Sequence, residues 1–457
     1  MTTTNPTSAL VLGLGLSGVA AVRLLRAGGT AVVGVDRRSR LDLELDGIER
    51  DPGVDLLLGA EPATPPEATD LVVTSPGVPF DHPLLTAARR RGIEVIGELE
   101  LGFRHLPANS QVVAVTGSNG KSTTTALAGH LIAADGRAVE VCGNIGRPLS
   151  ACALGTPGRT FVVEVSSFQL ETVVGFHAHA AAVLNLSPDH LDRHHDMATY
   201  AATKGRIFAT QGPQDYAITN ADDPWVCDLP SRARHRRFSL TGPVVDGCWR
   251  RDNELVEVDG HTSRVLCTTS QIPLPGEHNL ENVMAAALLA RALGVGADTI
   301  AEALPTFRGL PHRLELVAEV GGVRFVDDSK ATNVASAVRG IAGFPNTRLH
   351  VILGGRPKTG DDLAHLARVL EGHATSVWLI GEATPSFAAA LAGSRLPVTA
   401  ASTLDRAVTA AAASAAAGDV VLLAPAAASY DQYRNYVERG LHFRSLAQAL
   451  ATTEVAG

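Results

Sequence analysis

A chain of 457 residues is too long for one ordinary hydrophobic core, and three domains are expected. Hydrophobic residues at 45% and charged residues at 19% fit a packed soluble protein, while 4% aromatics leave Val, Leu and Ala to fill the cores, as in α/β folds. A net charge of −8 without a long basic run argues against nucleic acid, no stretch has the length of a membrane span, and five scattered cysteines without a metal-type pair fit a reduced, cytosolic compartment.

In chain order, Ala9–Gly13 is an apolar run ending in glycine, Val19–Leu25 has helical character, and Ala31–Asp36 is a second apolar run, which together read as a β-α-β start. Asp70–Thr74 and Glu94–Ile96 read as short strands, and Leu106–Ser110 as a linker that closes a first domain at residue 109. Gln111–Thr116 restarts the pattern with a strand and a helix from about 121 to 134. Thr160–Ser166 and Ala180–Ser187 read as buried strands, Asp196–Ala209 as a helix, 231–275 as strands and loops, and Asn279–Leu293 as a helix. A break at Phe307–Pro311 separates a second domain, 110–308, from a third, 309–457. In the third domain Val323–Asp327, Leu349–Leu353, Ser376–Ile380 and Val420–Leu423 read as strands, and alanine-rich Ala407–Ala417 as a helix stopped by Gly418.

The chemistry centres on A-V-T-G-S-N-G-K-S-T-T-T at 114–125. Strand, glycine turn and helix N-terminus together cradle phosphate: Gly117 and Gly120 let backbone N–H groups approach oxygen, Lys121 reaches the β/γ phosphates, and Ser122 or Thr123 offers a hydroxyl to Mg²⁺. Position 115 is Val, where the general phosphate-loop pattern has Gly. Glu164 closes a Val-rich strand, where a carboxylate is costly unless paired or metal-bound. Asp189-His190 and Asp192-Arg193 follow another strand, at the edge where α/β sheets hold ligands. Lys204, on a helix, reads by itself as a solvated lysine, and Asn279 reads by itself as a helix cap. Arg313, the run Asp327–Asn333, and Ser429, Asp431 and Gln432 form a polar set able to grip a small charged substrate. The first glycine turn, Gly13, Gly15 and Gly18 followed by Asp36, is a dinucleotide fingerprint that serves any diphosphate, a nucleotide sugar included.

The ordered set T-G-S-N-G-K-S-T, G-N-I-G, E-V-S-S-F-Q-L-E, L-N-L-S-P-D-H-L-D-R-H, G-E-H-N-L-E-N, P-H-R-L-E and D-D-S-K-A-T-N resembles the Mur ligases, over nearly the whole chain. V-L-G-L-G-L-S-G at the start and S-Y-D-Q-Y-R-N-Y near the end point to the members that add D-glutamate, and the D-N-P-R of the diaminopimelate-adding members is absent. The resemblance implies an α/β chain of three domains: a Rossmann-like domain binding the UDP substrate, a central P-loop ATPase, and a Rossmann-like C-terminal domain. It implies a cytoplasmic, monomeric ligase using ATP and two Mg²⁺ ions, for which Mn²⁺ substitutes, with UDP-MurNAc-L-Ala and D-glutamate as partners. It also assigns roles. Gly117, Ser118, Asn119, Gly120, Lys121, Ser122, Thr123, Asn279, Arg313, Asp328 and Lys330 would surround ATP, and Leu16, Ser17, Asp36, Arg37, Ser75, Gly77, Asn144 and His190 the UDP substrate. Glu164, His190, a carbamylated Lys204 and Ser122 or Thr123 would hold metal, Thr332, Lys358, Ser429 and Tyr436 would hold D-glutamate, and Lys121, Glu164, His190 and Lys204 would be catalytic. Ala427 stands where a cysteine is expected, and Tyr436 where a phenylalanine is.

Rival readings are another ligase of the superfamily, such as a folylpolyglutamate synthetase or the L-alanine-adding enzyme, an NAD-dependent oxidoreductase with an accessory NTPase, and a nucleotide-regulated binding protein. The complete N-terminal glycine-turn domain and the Ser429–Tyr436 segment count against the other ligases. No hydride-transfer acid or base stands near Asp36, and a mere binding protein would bind ATP without forming an amide.

Overall fold

The computed structural model describes residues 6–274, 276–357 and 362–454. Residues up to Ile272 together with His278–Phe307 form one compact unit, and Pro273–Glu277 with Arg308 onward form another. The first unit contains two sheets and the second contains one.

The N-terminal sheet has five strands, all parallel: Val54–Leu58, Ala31–Asp36, Ser8–Leu12, Leu71–Thr74 and Glu94–Gly97, in that spatial order. Ser8–Leu12 is central because Ala9, Leu10 and Val11 are fully buried, with apolar side chains packed on both faces; each such Val or Leu contributes about 1.5–3 kcal/mol. Sequence order reverses at Ser8–Leu12, so a crevice opens between its carboxyl end and that of Leu71–Thr74. The helix after the glycine turn runs Leu16–Ala27, starting one turn earlier than Val19. A Cβ at Gly18 would lie 1.9 Å from the Gly13 carbonyl oxygen, so only glycine lets this helix sit so close to the turn.

The central sheet has nine strands, and its phosphate-loop strand Gln111–Thr116 lies between Thr160–Glu164 and Ala180–Val183, all three parallel. Val139–Gly143 flanks one side, and Tyr216–Asn220, Arg234–Ser239 and Gly247–Arg251 continue the other. An antiparallel pair, Glu254–Asp259 and Thr262–Thr268, ends the sheet, which resolves the 231–275 region into four strands.

The C-terminal sheet has six strands in the order Glu315–Val320, Val323–Asp327, Val420–Leu423, Leu349–Gly354, Ala374–Ile380 and Val398–Ser402, parallel except for the first. The alanine-rich helix is Leu404–Ser414; it ends before Gly418, whose φ of +94° serves the turn into Val420–Leu423. Among the described residues, no helix is long and apolar enough to cross a membrane.

Candidate active site

The phosphate loop is held from two neighbouring segments. Asn185, just past strand Ala180–Val183, accepts the Asn119 N–H at 2.9 Å and donates to the Asn119 carbonyl at 3.2 Å. The Ser118 hydroxyl bonds the Ser187 carbonyl and the Tyr200 hydroxyl, both at 3.1 Å. On the other side Thr124 donates to Asn282 at 3.1 Å, and Asn282 donates to Asn279 at 2.9 Å. Gly120 has φ +81°, and a Cβ there would meet Asn282 Oδ1 at 2.2 Å, which fixes glycine at this position. Asn279 is not a helix cap: the helix begins at Glu277, and the Asn279 amide oxygen is spent on Asn282 inside its first turn and a half.

Two lysines converge on one carbonyl. Lys121 donates to Gly117 O and Ser118 O, both at 2.8 Å, and Lys204 donates to Gly117 O at 3.0 Å and Thr116 Oγ1 at 3.3 Å. Lys204 is 1% exposed, so it is not the solvated lysine that helix context alone suggests. Burial, then the Lys121 cation, bring its amine from 10.5 to about 7, against the pull of Asp189 and Glu164. An amine so placed is substantially neutral near neutral pH, the form that reacts with CO₂.

Glu164 pairs in register with Val115, one residue short of the loop. Its Oε1 accepts from Asn144 at 2.7 Å, while Oε2 is buried and has no hydrogen-bond partner among the described residues. An orphaned carboxylate oxygen in a 3% exposed residue fits a cation ligand. Ser122 and Thr123 are buried in the first turn of helix Lys121–Ala133. His190 adopts a left-handed φ of +54° ahead of helix Leu191–His194. Its half-exposed ring lies 4.8 Å from Phe168 and 3.6 Å from Asp189 Oδ2. The Glu164 carboxylate and the hydroxyls of Ser122 and Thr123 are oxygen donors of the kind Mg²⁺ accepts.

At the crevice of the N-terminal sheet lies a cavity of about 650 Å³. Leu16, Ser17, Asp36, Arg37, Ser75, Gly77 and Asn144 all line it. Asp36 is 4% exposed, and its oxygens accept the Leu14 N–H at 2.7 Å and the Arg38 N–H and guanidinium at 2.8–3.0 Å. Burial alone would raise its carboxyl, but the Arg38 and Leu14 hydrogen bonds prevail and bring it to about 2. Asp36 therefore shapes the glycine turn and aims Arg38 as well as facing the cavity.

In the C-terminal unit, Arg313, Asp328, Lys330, Thr332, Ser429 and Tyr436 sit at or beside the carboxyl ends of strands Val323–Asp327 and Val420–Leu423. Burial lifts the Asp328 carboxyl to about 7, partly opposed by the nearby Arg313 guanidinium. The Lys330 N–H donates to His312 O at 3.0 Å, and the Thr332 N–H to Lys330 O at 2.8 Å. Ser429 is buried, and the Tyr436 carbonyl accepts the Ser329 hydroxyl at 2.8 Å. Lys358 lies outside the described residues. Reading by residue type passed over Asn185, Tyr200, Asn282 and Arg439. The first and third stand inside the quoted L-N-L-S and G-E-H-N-L-E-N strings, while Tyr200 and Arg439 carry no local signal.

Three family models match successive parts of the chain: the Mur ligase MurD-like N-terminal domain over residues 7–97, the Mur ligase middle domain over 115–290, and the Mur ligase glutamate ligase domain over 312–427. Solved structures agree on the fold. A UDP-N-acetylmuramate-alanine ligase from Thermotoga maritima superposes with a TM-score of 0.59 at 18% identity, covering 97% of this chain and 99% of that one. A MurF ligase from the same organism, in complex with ADP, gives 0.59 at 17% identity, covering 93% and 96%. The fold is thus that of the three-domain Mur ligases. Curated UDP-N-acetylmuramoylalanine–D-glutamate ligases are similar over nearly their full length: that of Anaeromyxobacter dehalogenans is 44% identical over 455 residues (96% of this chain, 97% of the relative), and that of Acidobacterium capsulatum 42% over 449 (96% of each). The chain belongs to this D-glutamate ligase family within the Mur ligases.

Proposed function

We infer that the chain joins D-glutamate to the L-alanine carboxylate of UDP-N-acetylmuramoyl-L-alanine at the expense of ATP, a step in building peptidoglycan precursors. The observation that carries this reading is the near full-length likeness to D-glutamate ligases, in a chain whose phosphate loop and substrate-sized cavity belong to one compact unit.

The substrate carboxylate attacks the γ-phosphorus, the bond to the bridging oxygen of ADP breaks, and an acyl phosphate forms. The D-glutamate amine then attacks the acyl carbon, the bond to phosphate oxygen breaks, and the amine nitrogen loses a proton. Gly117–Thr123 cradle the triphosphate, with Lys121 moving from its loop carbonyls to the transferring phosphate. Glu164, His190, carbamylated Lys204 and Ser122 or Thr123 would hold Mg²⁺, as two ions for which Mn²⁺ substitutes, and the metal would offset repulsion between the anionic reactants. Leu16, Ser17, Asp36, Arg37, Ser75, Gly77 and Asn144 orient the uridine nucleotide, with His190 at the reacting end. Asn279, Arg313, Asp328 and Lys330 complete ATP binding, and Thr332, Lys358, Ser429 and Tyr436 receive D-glutamate. These roles fall on domains 1–109, 110–308 and 309–457, in a cytoplasmic monomer serving cell-wall synthesis and, through it, cell shape and division.

The test is phosphate release from ATP with UDP-MurNAc-L-Ala while L- and D-amino acids are scanned. Release that depends on D-glutamate is expected; equal release with other amino acids, or none with any, would sink the reading.

A further inference from the structure

Arg193 engages four residues of two other segments through one guanidinium. It follows His190 by three residues in helix Leu191–His194 and stacks 4.1 Å above the Phe168 ring. Its Nε bonds both Glu171 carboxylate oxygens at 3.0 and 3.1 Å. Nη1 donates to the Pro76 carbonyl and Nη2 to the Val78 carbonyl, each at 3.0 Å. The side chain is 18% exposed and its ion-pair partner 12%, so this contact is more than a surface pair.

The two carbonyls belong to the turn Ser75–Val78, closed by the Val78 N–H to Ser75 O bond at 3.0 Å. Ser75 in turn donates to the Gly13 carbonyl at 2.6 Å, tying the turn to the glycine loop. In a trans peptide the C=O and the following N–H point in opposite directions. With the Pro76 carbonyl held by Arg193, the Gly77 N–H is aimed away from the guanidinium, and Gly77 lines the 650 Å³ cavity.

We propose that Arg193 is a positioning residue for the sugar-nucleotide pocket: from behind the turn it fixes the Pro76–Gly77 peptide so that the Gly77 N–H is presented to the anionic diphosphate of the substrate. This rests on the substrate reading above. The same guanidinium shares the Phe168 ring with His190, whose ring is 4.8 Å from it, so turn and His190 loop are held in register by one side chain. Lysine has one ammonium and no planar fork, and cannot span both carbonyls and the carboxylate.

The test uses the full chain carrying Arg193→Ala, Arg193→Lys or Glu171→Gln, with KM for UDP-MurNAc-L-Ala and for ATP, kcat, thermal midpoint, and the Kd of UDP alone. Arg193→Ala is expected to raise KM for the nucleotide substrate and Kd for UDP at least tenfold while KM for ATP stays within twofold; Arg193→Lys and Glu171→Gln shift both in the same direction by less. Millimolar guanidinium should recover part of the loss in Arg193→Ala and nothing in the parent. Nucleotide KM within twofold of the parent in all three variants overturns the proposal, as does a rise in ATP KM matching that of the nucleotide. Should Arg193→Ala not fold, the other two variants decide by the same limits. A parent chain that neither binds UDP nor turns over overturns the substrate reading instead, and the proposal with it.

Discussion

Replacing Asp36 by Asn tests how the N-terminal pocket is built. The carboxylate accepts from Leu14 and Arg38, and the substitution removes the charge while putting an amide among donors. Moving a carboxyl from 3.8 to about 2 corresponds to about 2.4 kcal/mol favouring the ionised form in the folded chain. The Arg38 side chain is 47% exposed, so its share is screened and the expected loss is about 1–2 kcal/mol. Because the carboxyl is depressed in the folded state, this stability is fully present above 3.8 and is lost as pH falls toward 2. Hydrogen exchange of the Leu14 amide is the direct readout, since that N–H is bound to Asp36 at 2.7 Å. At pH 7 its exchange should accelerate about 5- to 30-fold, and the difference from the parent should shrink below pH 4. A change under twofold at pH 7, or a gap undiminished at low pH, would refute the view that Asp36 holds the glycine turn.

Two further predictions concern the phosphate loop. Lys121→Ala should lower turnover by about a hundredfold or more while leaving the Kd of the UDP substrate within threefold; ligase activity near the parent level would remove Lys121 from its assigned role. Lys204→Ala should be inactive with Mg²⁺ present and regain part of its activity with formate or acetate, which supply a carboxylate; a folded variant that shows no rescue counts against carbamylation.

What the sequence made legible follows from burial. Ala31–Asp36, Val323–Asp327 and Val420–Leu423 were readable to the residue because they are interior strands with nearly continuous apolar runs. Four strands that escape such reading, Val54–Leu58, Val139–Gly143, Glu315–Val320 and Val398–Ser402, all lie at sheet edges. An edge strand is covered less completely, and its polar positions break the run: Val54–Leu58 has Asp55, and Glu315–Val320 has Glu319. Tyr216–Asn220 is an interior exception, with Thr219 and Asn220 breaking its apolar run. At the site, residue types located Lys121 and Glu164, whereas the Asn185 clamp and the Asn279–Asn282–Thr124 chain need the fold to bring distant segments together.

Arg439 carries that lesson into the C-terminal unit. It is 1% exposed, and its guanidinium donates to Ser329 Oγ and O, Gly354 O and Ala427 O at 3.0–3.3 Å. One side chain thus ties segments at the carboxyl ends of three parallel strands, from the same helix, Tyr436–Glu454, that Tyr436 opens. Burial lowers it to about 10, with Asp431, Tyr433 and Asp327 opposing, so it remains charged at neutral pH. Arg439 thereby supports the strand ends beside which the residues proposed to receive D-glutamate, Thr332, Ser429 and Tyr436, sit. Arg439→Lys keeps the charge and loses the fork, so it should raise KM for D-glutamate roughly tenfold while the UDP-substrate Kd stays within twofold. Arg439→Met leaves several buried carbonyls unpaired and should destabilise the C-terminal unit by about 3 kcal/mol or more. A D-glutamate KM unchanged in Arg439→Lys would show that the charge suffices and the fork does not position the loops.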